Sequence, residues 1–343
     1  MSDTKPKKRF HVKTLLILLL VAAGAYAAFW GPSILKPVNP VVVLPGEHTG
    51  LSLFGLEITN TMLATLLADV ILIVMGFSAW RFAKSGQLVP KGFVNAFEAI
   101  VEFLWNSIES SAGAKWGRRI MPVVATIFLL IFVANMVKLV PGFESIGWME
   151  ESPHGEGYAA VQLIPGVYTI DKTQPVTLEH AEGEEATHTE GEAPCQACEV
   201  VPWFRGSATD LNFTIALAVI TVVMTQVYGV WALGPGYFSK FMPFKELVSG
   251  NPFGIINFAV GFLEIILEFA KILSFAFRLF GNIFAGALLL SIIGALLPIV
   301  IPPVLYIFEV FFGIIQAYVF FLLAVVFISG ALVSHSDHGE EHH

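Results

Sequence analysis

Along this chain the hydrophobic positions gather into long unbroken runs, at residues 15–30, 58–80, 121–140, 211–233, 253–297 and 299–333. A helix needs roughly 20 apolar residues to cross ~30 Å of hydrocarbon. The last five runs therefore predict an all-α polytopic membrane protein with five core transmembrane helices. No compact soluble core is expected between them. The first run follows Lys5, Lys7, Lys8, Arg9 and Lys13 and closes on Ala25-Tyr26-Ala27. Two readings stand for residues 1–35, a cleaved signal peptide or a short extra anchor. Residues 36–334 form the membrane domain, and 335–343 a polar tail with His335, His338, His342 and His343.

The two C-terminal runs are too long to stand upright. Residues 253–290 hold no proline, and one helix over them approaches twice the hydrocarbon thickness at ~1.5 Å per residue. Such a helix must tilt strongly or bend. Pro298, Pro302 and Pro303 join it to a second long helix, so a strongly tilted hairpin is expected. Between residues 90 and 111 the pattern changes. Phe93, Phe97, Ile100, Val101, Leu104 and Ile108 recur at helical spacing, with Asn95, Glu98, Glu102, Asn106 and Glu109 opposite. This predicts an amphipathic helix on the cytoplasmic surface or packed on a partner.

Composition narrows the function. Of 343 residues 55% are hydrophobic and 13% charged, about half the charge of a soluble domain. A soluble enzyme is disfavoured, and so is a nucleic-acid binder, which needs a basic face where this chain has a net charge of −8. The acid is local: residues 142–205 carry twelve Asp/Glu against Lys172 and Arg205. Thirteen Lys/Arg lie in the N-terminal tail, in 81–119 and in 234–250, while the alternate connections hold three, Lys36, Lys172 and Arg205. Both termini are therefore expected in the cytoplasm and the acidic loop outside. That loop contains Cys195-Gln196-Ala197-Cys198, with His180 and His188 upstream. A zinc site needs a second defined ligand pair; a disulfide suits an oxidising compartment; two incidental cysteines remain the third reading. No metal or other cofactor is assigned.

The chemistry lies where charge enters the membrane. Glu264, Glu268, Lys271, Arg278 and Asn282 follow one another at spacings of 4, 3, 7 and 4, which keeps them on one helical stripe. Tyr306, Glu309, Gly313 and Gln316 share a stripe on the next helix. A charge at mid-helix costs at least ~2.5–3.5 kcal/mol, and a guanidinium cannot escape by losing its proton. Intramembrane ionisable groups face a partner or an aqueous cavity by default. Ion transport is the preferred reading; the bland alternative is a buried Arg278–Glu309 pair that holds two helices together. A secondary transporter or channel gated by that pair, and a membrane anchor docking partners through its polar stripe, are the rival functions. Asp69, midway along an early span, is a channel wall or a subunit contact.

At this stripe the sequence resembles a known family. Arg278-Leu279-Phe280-Gly281-Asn282, followed by Ile283-Phe284-Ala285-Gly286, is similar to the signature of the a subunit of rotary F-type ATP synthases. Lys271 and Glu264 fall where that family has a Lys and a Glu upstream of its Arg. Ala208-Thr209-Asp210-Leu211-Asn212, Gln316 and Asn135-Met136-Val137-Lys138-Leu139-Val140-Pro141 extend the likeness across about residues 40–334. Two positions depart from it: Ala287 stands where many relatives have an acid, and Glu309 where they often have His. The long acidic insertion is a third departure.

The resemblance implies a non-catalytic stator of a proton-driven rotary motor in a bacterial plasma membrane. Its partners would be a ring of c subunits, each with one membrane carboxyl group, the peripheral-stalk b subunits, the rest of the synthase and the lipid bilayer. Two offset aqueous half-channels would reach the ring, with Arg278 between them. Asp210, Asn282, Glu309 and Gln316 would line the outer inlet. Glu264 and Glu268, with Lys271, would line the cytoplasmic outlet.

Overall fold

Apolar runs become helices because only a helix satisfies its own backbone polar groups in hydrocarbon. The computed structural model describes residues 12–30, 46–53, 55–86, 89, 92–140, 142–152, 155–177, 195–241, 254–296 and 301–333. The basic N-terminal tail, most of the 234–250 loop, His180, His188, Pro298 and the His-rich tail lie outside them. The helices are α1 (Val12–Trp30), α2 (Asn60–Lys84), α3 (Phe93–Val137), α4 (Leu211–Leu233), α5 (Gly254–Leu296) and α6 (Ile301–Leu332). Among the described residues, α2, α3, α4 with the 3-10 turn that follows it, and α6 are long and apolar enough to cross a membrane. Beside them stands α5, an unbroken helix of 43 residues.

The chain divides into two compact units. The larger comprises residues 44–140, 205–284 and 312–343. Its core joins Leu104, Ile108, Ile120, Val124, Phe128 and Ile131 of α3 to Leu217, Ala218 and Val222 of α4, Phe275, Leu279 and Ile283 of α5, and Phe320, Phe321, Ala324 and Ile328 of α6. Phe275 stacks at 4.6 Å from Phe320 and 5.6 Å from Phe327. The amphipathic segment is the first half of α3. Gly113, at φ 70° and ψ 162°, breaks the helix there, a conformation that glycine adopts without steric cost. Beyond the bend Gly117 comes within van der Waals reach of Ile108 and Trp105, so the two halves fold together. Leu104 and Ile108 are fully buried in this chain's own core, and Phe103 meets Tyr318 of α6 at 5.2 Å. The apolar face thus has an intramolecular partner.

The expectation of an all-α chain needs correction. A hairpin of β1 (His48–Leu53) and β2 (Leu56–Thr59) precedes α2. In the smaller unit, residues 1–43, 141–204 and 285–311, the acidic region holds a four-stranded sheet. Its strands are β3 (Gly147–Glu151), β4 (Glu156–Ile164), β5 (Val167–Thr177) and β6 (Cys198–Pro202), in the order β3-β6-β4-β5 and antiparallel throughout. The turn between β4 and β5 uses Gly166 at φ 83°, and Gly147 lies so close to the Val201 carbonyl that no Cβ would fit. Cys195 and Cys198 form a disulfide. Glu151 holds the loop that carries it, accepting from the Ala197 N–H at 3.3 Å, while the Ser152 N–H donates to the Ala197 carbonyl at 2.9 Å. Local charge hid this sheet from the sequence reading, because acids on solvated strands and acids in a loop have the same composition.

Candidate functional site

The α5 stripe is set by what its other side buries. With Phe275, Leu279 and Ile283 turned into the core, helical geometry turns Ser274 and Arg278 outward, and both are exposed. The guanidinium Nη2 donates to Ser274 Oγ at 3.4 Å, a long hydrogen bond to a neutral group. Among the described residues Arg278 takes part in no salt bridge. Gly281, one turn on, has open space where a side chain would stand. Four residues beyond Arg278, Asn282 donates through Nδ2 to Gln316 Oε1 of α6 at 3.5 Å. Gln316 is buried, and its Nε2 has no acceptor among the described residues. A buried amide donor left over in this way is where an ordered water belongs.

Two turns towards the N-terminus of α5 the environment differs. Lys271 Nζ meets Glu268 Oε1 at 2.7 Å, both side chains largely buried, and lies 5.1 Å from the centre of the Phe327 ring. Glu268 Oε2 is buried without a donor. Glu264 shares the face one turn earlier, and it and Glu268 both act electrostatically on Tyr237, in the turn after α4. The stripe is therefore divided into a carboxylate-rich end and an Arg–Asn–Gln end.

Asp210 is placed by its own helix. It caps α4, Oδ1 accepting from the Asn212 N–H at 2.8 Å, which satisfies one of the donors a helix N-terminus leaves free. Oδ2 accepts from Thr61 Oγ1 at 2.9 Å across 149 residues of sequence. Thr61 Oγ1 also lies 2.9 Å from Thr59 Oγ1, and Asn60 donates to Glu47 Oε2 at 2.8 Å. Gly46 is pressed onto this cluster: a Cβ there would stand 2.6 Å from Thr61 Oγ1 and 3.1 Å from Asp210 Oδ2. Asn135 of the family-like segment clamps α6, its Nδ2 donating to the Gly313 carbonyl at 3.2 Å.

In the smaller unit Glu309 faces α5 at Gly286, where an added Cβ would lie 3.2 Å from Glu309 Oε1. That puts Glu309 one residue from Ala287, where many family members carry their acid. Glu309 and Glu144 both act electrostatically on Tyr306. Asp69 is half-buried on α2 and makes no hydrogen bond or salt bridge among the described residues.

Sequence reasoning missed Glu47, Asn60, Thr61, Glu144, Gln226 and Tyr237. None stands on a charged stripe, and most of the contacts that single them out cross between separate elements. Among the described residues no group is arranged as a nucleophile with its base. The carboxylates can pass protons between waters, and the amides and hydroxyls can order those waters.

Comparison with known proteins points the same way. The family model for the ATP synthase A chain matches residues 62–329. The ATP synthase subunit a of Mycobacterium marinum is 26% identical over 300 residues, which cover 85% of this chain and 95% of that protein. The subunit a of Mycobacterium bovis is 27% identical over 305 residues, 87% of this chain and 95% of its own. That of Campylobacter jejuni strain RM1221 is 26% identical over 274 residues, 79% and 89% of the two chains.

Proposed function

The chain belongs to the ATP synthase A chain family, and from that premise we propose how its residues do the work of this non-catalytic, proton-translocating stator subunit. It is a multi-pass membrane protein of the F-type ATP synthase complex. The α5–α6 hairpin lies tilted as the fourth and fifth core spans and faces a ring of c subunits; the peripheral-stalk b subunits hold the stator against rotation. Both termini face the cytoplasm of a bacterial cell. The excess of Lys/Arg on that side supports this orientation, and the Cys195–Cys198 disulfide suits an outer, oxidising compartment for residues 142–205.

A proton enters from outside through water near Asp210, Asn282, Glu309 and Gln316 and neutralises a ring carboxylate. Neutralisation is needed because an ionised carboxylate facing lipid is costly. After the ring turns, Arg278 favours the ionised form of the arriving carboxyl, and the proton leaves by way of Glu264 and Glu268 beside Lys271. The same fixed charge repels protons that would leak straight across. Each proton moving through ~100 mV supplies about 2.3 kcal/mol to the rotor.

One observation carries this reading: an intramembrane guanidinium that is exposed and, among the described residues, bonded only to a hydroxyl at 3.4 Å. A charge held ready for a mobile partner looks like that. The test is Arg278→Ala in the complete complex, reconstituted in vesicles. Proton-driven ATP synthesis and ATP-driven pumping should both vanish while the complex assembles. Arg278→Lys should fail as well, since an ammonium lacks the planar five-donor fork. Coupled synthesis at a normal rate in the Ala variant would overturn the assignment.

A further inference from the structure

The cytoplasmic end of the α5 stripe has a wall that is not on α5. Tyr237 is 3% exposed, and its hydroxyl donates to Gln226 Oε1 at 2.7 Å. Its ring is seated on Gly229, where an added Cβ would stand 2.5 Å from the ring carbon Cε2. Phe238 and Phe241 pack edge-on against the ring at 6.2 and 5.7 Å. Three constraints on one side chain fix its position. The charged groups of α5 that act on it electrostatically are Glu268 and Glu264, with Lys271 bound to the first.

Two polar atoms in this neighbourhood are left over. Because Gln226 Oε1 accepts from the phenol, its Nε2 is a donor aimed elsewhere, and it is buried without an acceptor among the described residues. Glu268 Oε1 is taken by Lys271, and Oε2 is buried without a donor among the described residues. A buried donor on the amide that is bonded to the phenol, and a buried acceptor on a carboxylate that acts on the phenol electrostatically, are two polar partners of the kind an ordered water needs. Bare burial of each would cost ~1–3 kcal/mol.

We propose that Gln226 and Tyr237 form the α4 side of the cytoplasmic proton path and position the water that hands the proton to Glu268. That water accepts from Gln226 Nε2 and donates to Glu268 Oε2. A proton arriving from a ring carboxyl converts it to hydronium, Oε2 takes one proton to become a carboxylic acid, and the acid then loses it to cytoplasmic water. No other reactant takes part. Gln226 and Tyr237 are positioning residues, since neither gains nor loses the proton. The inference rests on the reading above that Glu268 lines the outlet.

The experiment uses the reconstituted complete complex, with the pH of each face set separately and rates expressed per assembled complex. Tyr237→Phe keeps the ring and removes the hydroxyl; Gln226→Met keeps the length and removes the amide. Each should slow proton-driven synthesis roughly five-fold, the rate equivalent of one neutral hydrogen bond. Each should alter the dependence on cytoplasmic pH and leave the dependence on outer pH as in the parent. In a Glu268→Gln background neither should slow it further. If Glu268→Gln slows synthesis while both other variants run at the parental rate per complex, the inference falls and the outlet reading stands. If Glu268→Gln is itself without effect, both fall. Lower yield of complex with unchanged rate and pH profile would show a purely structural pair and overturn the proposal; should one variant fail to assemble, the other decides.

Discussion

Two stretches of α5, less than two turns apart, treat charge in opposite ways. Around Glu268 and Lys271 the charges are largely buried and answered within the chain, at 2.7 Å. At Arg278 the charge is exposed and, among the described residues, answered only by a serine hydroxyl at 3.4 Å. Burying an ion without its counterion costs several kcal/mol, so the first arrangement is what a stable fold requires. On the proposed reading, the second leaves the charge to a partner from outside the chain. A guanidinium locked into an internal ion pair could not serve a succession of ring carboxyls, each arriving, ionising and leaving. In that reading, the difference separates charges that are answered within the chain, even where Glu268 also passes a proton, from one kept for an outside partner.

The largest effect should come from removing the working charge. Arg278→Ala should lower coupled transport by at least about a hundred-fold, the scale of deleting one preorganised electrostatic group, with a normal amount of assembled complex. Loss of assembly with transport per complex preserved would reverse the two roles. Next in size is Glu309→Gln, since an amide cannot release a proton. Synthesis should fall on the order of ten-fold, less than the ~10²–10⁴ of groups that act directly on reacting atoms, because water can bypass one relay member. Ala287→Glu in that background should restore part of the rate, as Glu309 already lies against Gly286, the adjacent residue. If the yield of complex falls while transport per complex does not, Glu309 is a structural counterion.

Lys271→Met tests the other half of the comparison. It leaves Glu268 buried with neither oxygen answered among the described residues. The complex should lose about 2 kcal/mol of stability, below the ~3–5 kcal/mol for a fully buried pair, because Lys271 retains some contact with solvent. Thermal unfolding in detergent would read this. A Lys271→Met, Glu268→Gln double variant should recover part of the loss, the sign of a coupled pair. Equal losses in the double and the single variant would mean that the pair is not the source.

The sequence revealed what repeats along a helix and little of what crosses between elements. The 3.6-residue period carried the α5 stripe and the Leu104–Ile108 face, while Asn282 and Gln316 were grouped only by the family resemblance. The same period could not find Thr61 against Asp210, Asn135 against Gly313, or Tyr237 against Gln226, because each pair depends on packing between separate elements. The sheet was missed for a different reason. Pro165-Gly166 between two runs rich in β-branched and aromatic residues is a hairpin signal, but the acid count of the whole loop outweighed it. Charge composition reports solvation, and a small sheet with solvated faces is as well hydrated as a loop.

The smallest effect is expected in that sheet, and its pairing decides where a deletion can be made. Removing residues 178–199 would take Cys195, Cys198 and the start of β6, which pairs with β3 from Glu151↔Cys198 to Gly147↔Pro202. The cut that leaves the sheet intact is 178–194. Thr177 ends β5 opposite Glu156, and Cys198 pairs with Tyr158 on the same strand, so a linker of about five residues, spanning up to ~17 Å, closes the gap. Transport and assembly should then match the parent, because the cut removes none of the residues named for proton transfer. Replacing both cysteines by serine should loosen the sheet by roughly 2 kcal/mol, the modest value expected for so short a loop, again without slowing transport. Proteolysis of the outer face would report the loosening. A strong loss of pumping in the assembled 178–194 deletion would give that segment a part in proton entry and overturn the expectation that the sheet region is dispensable for transport.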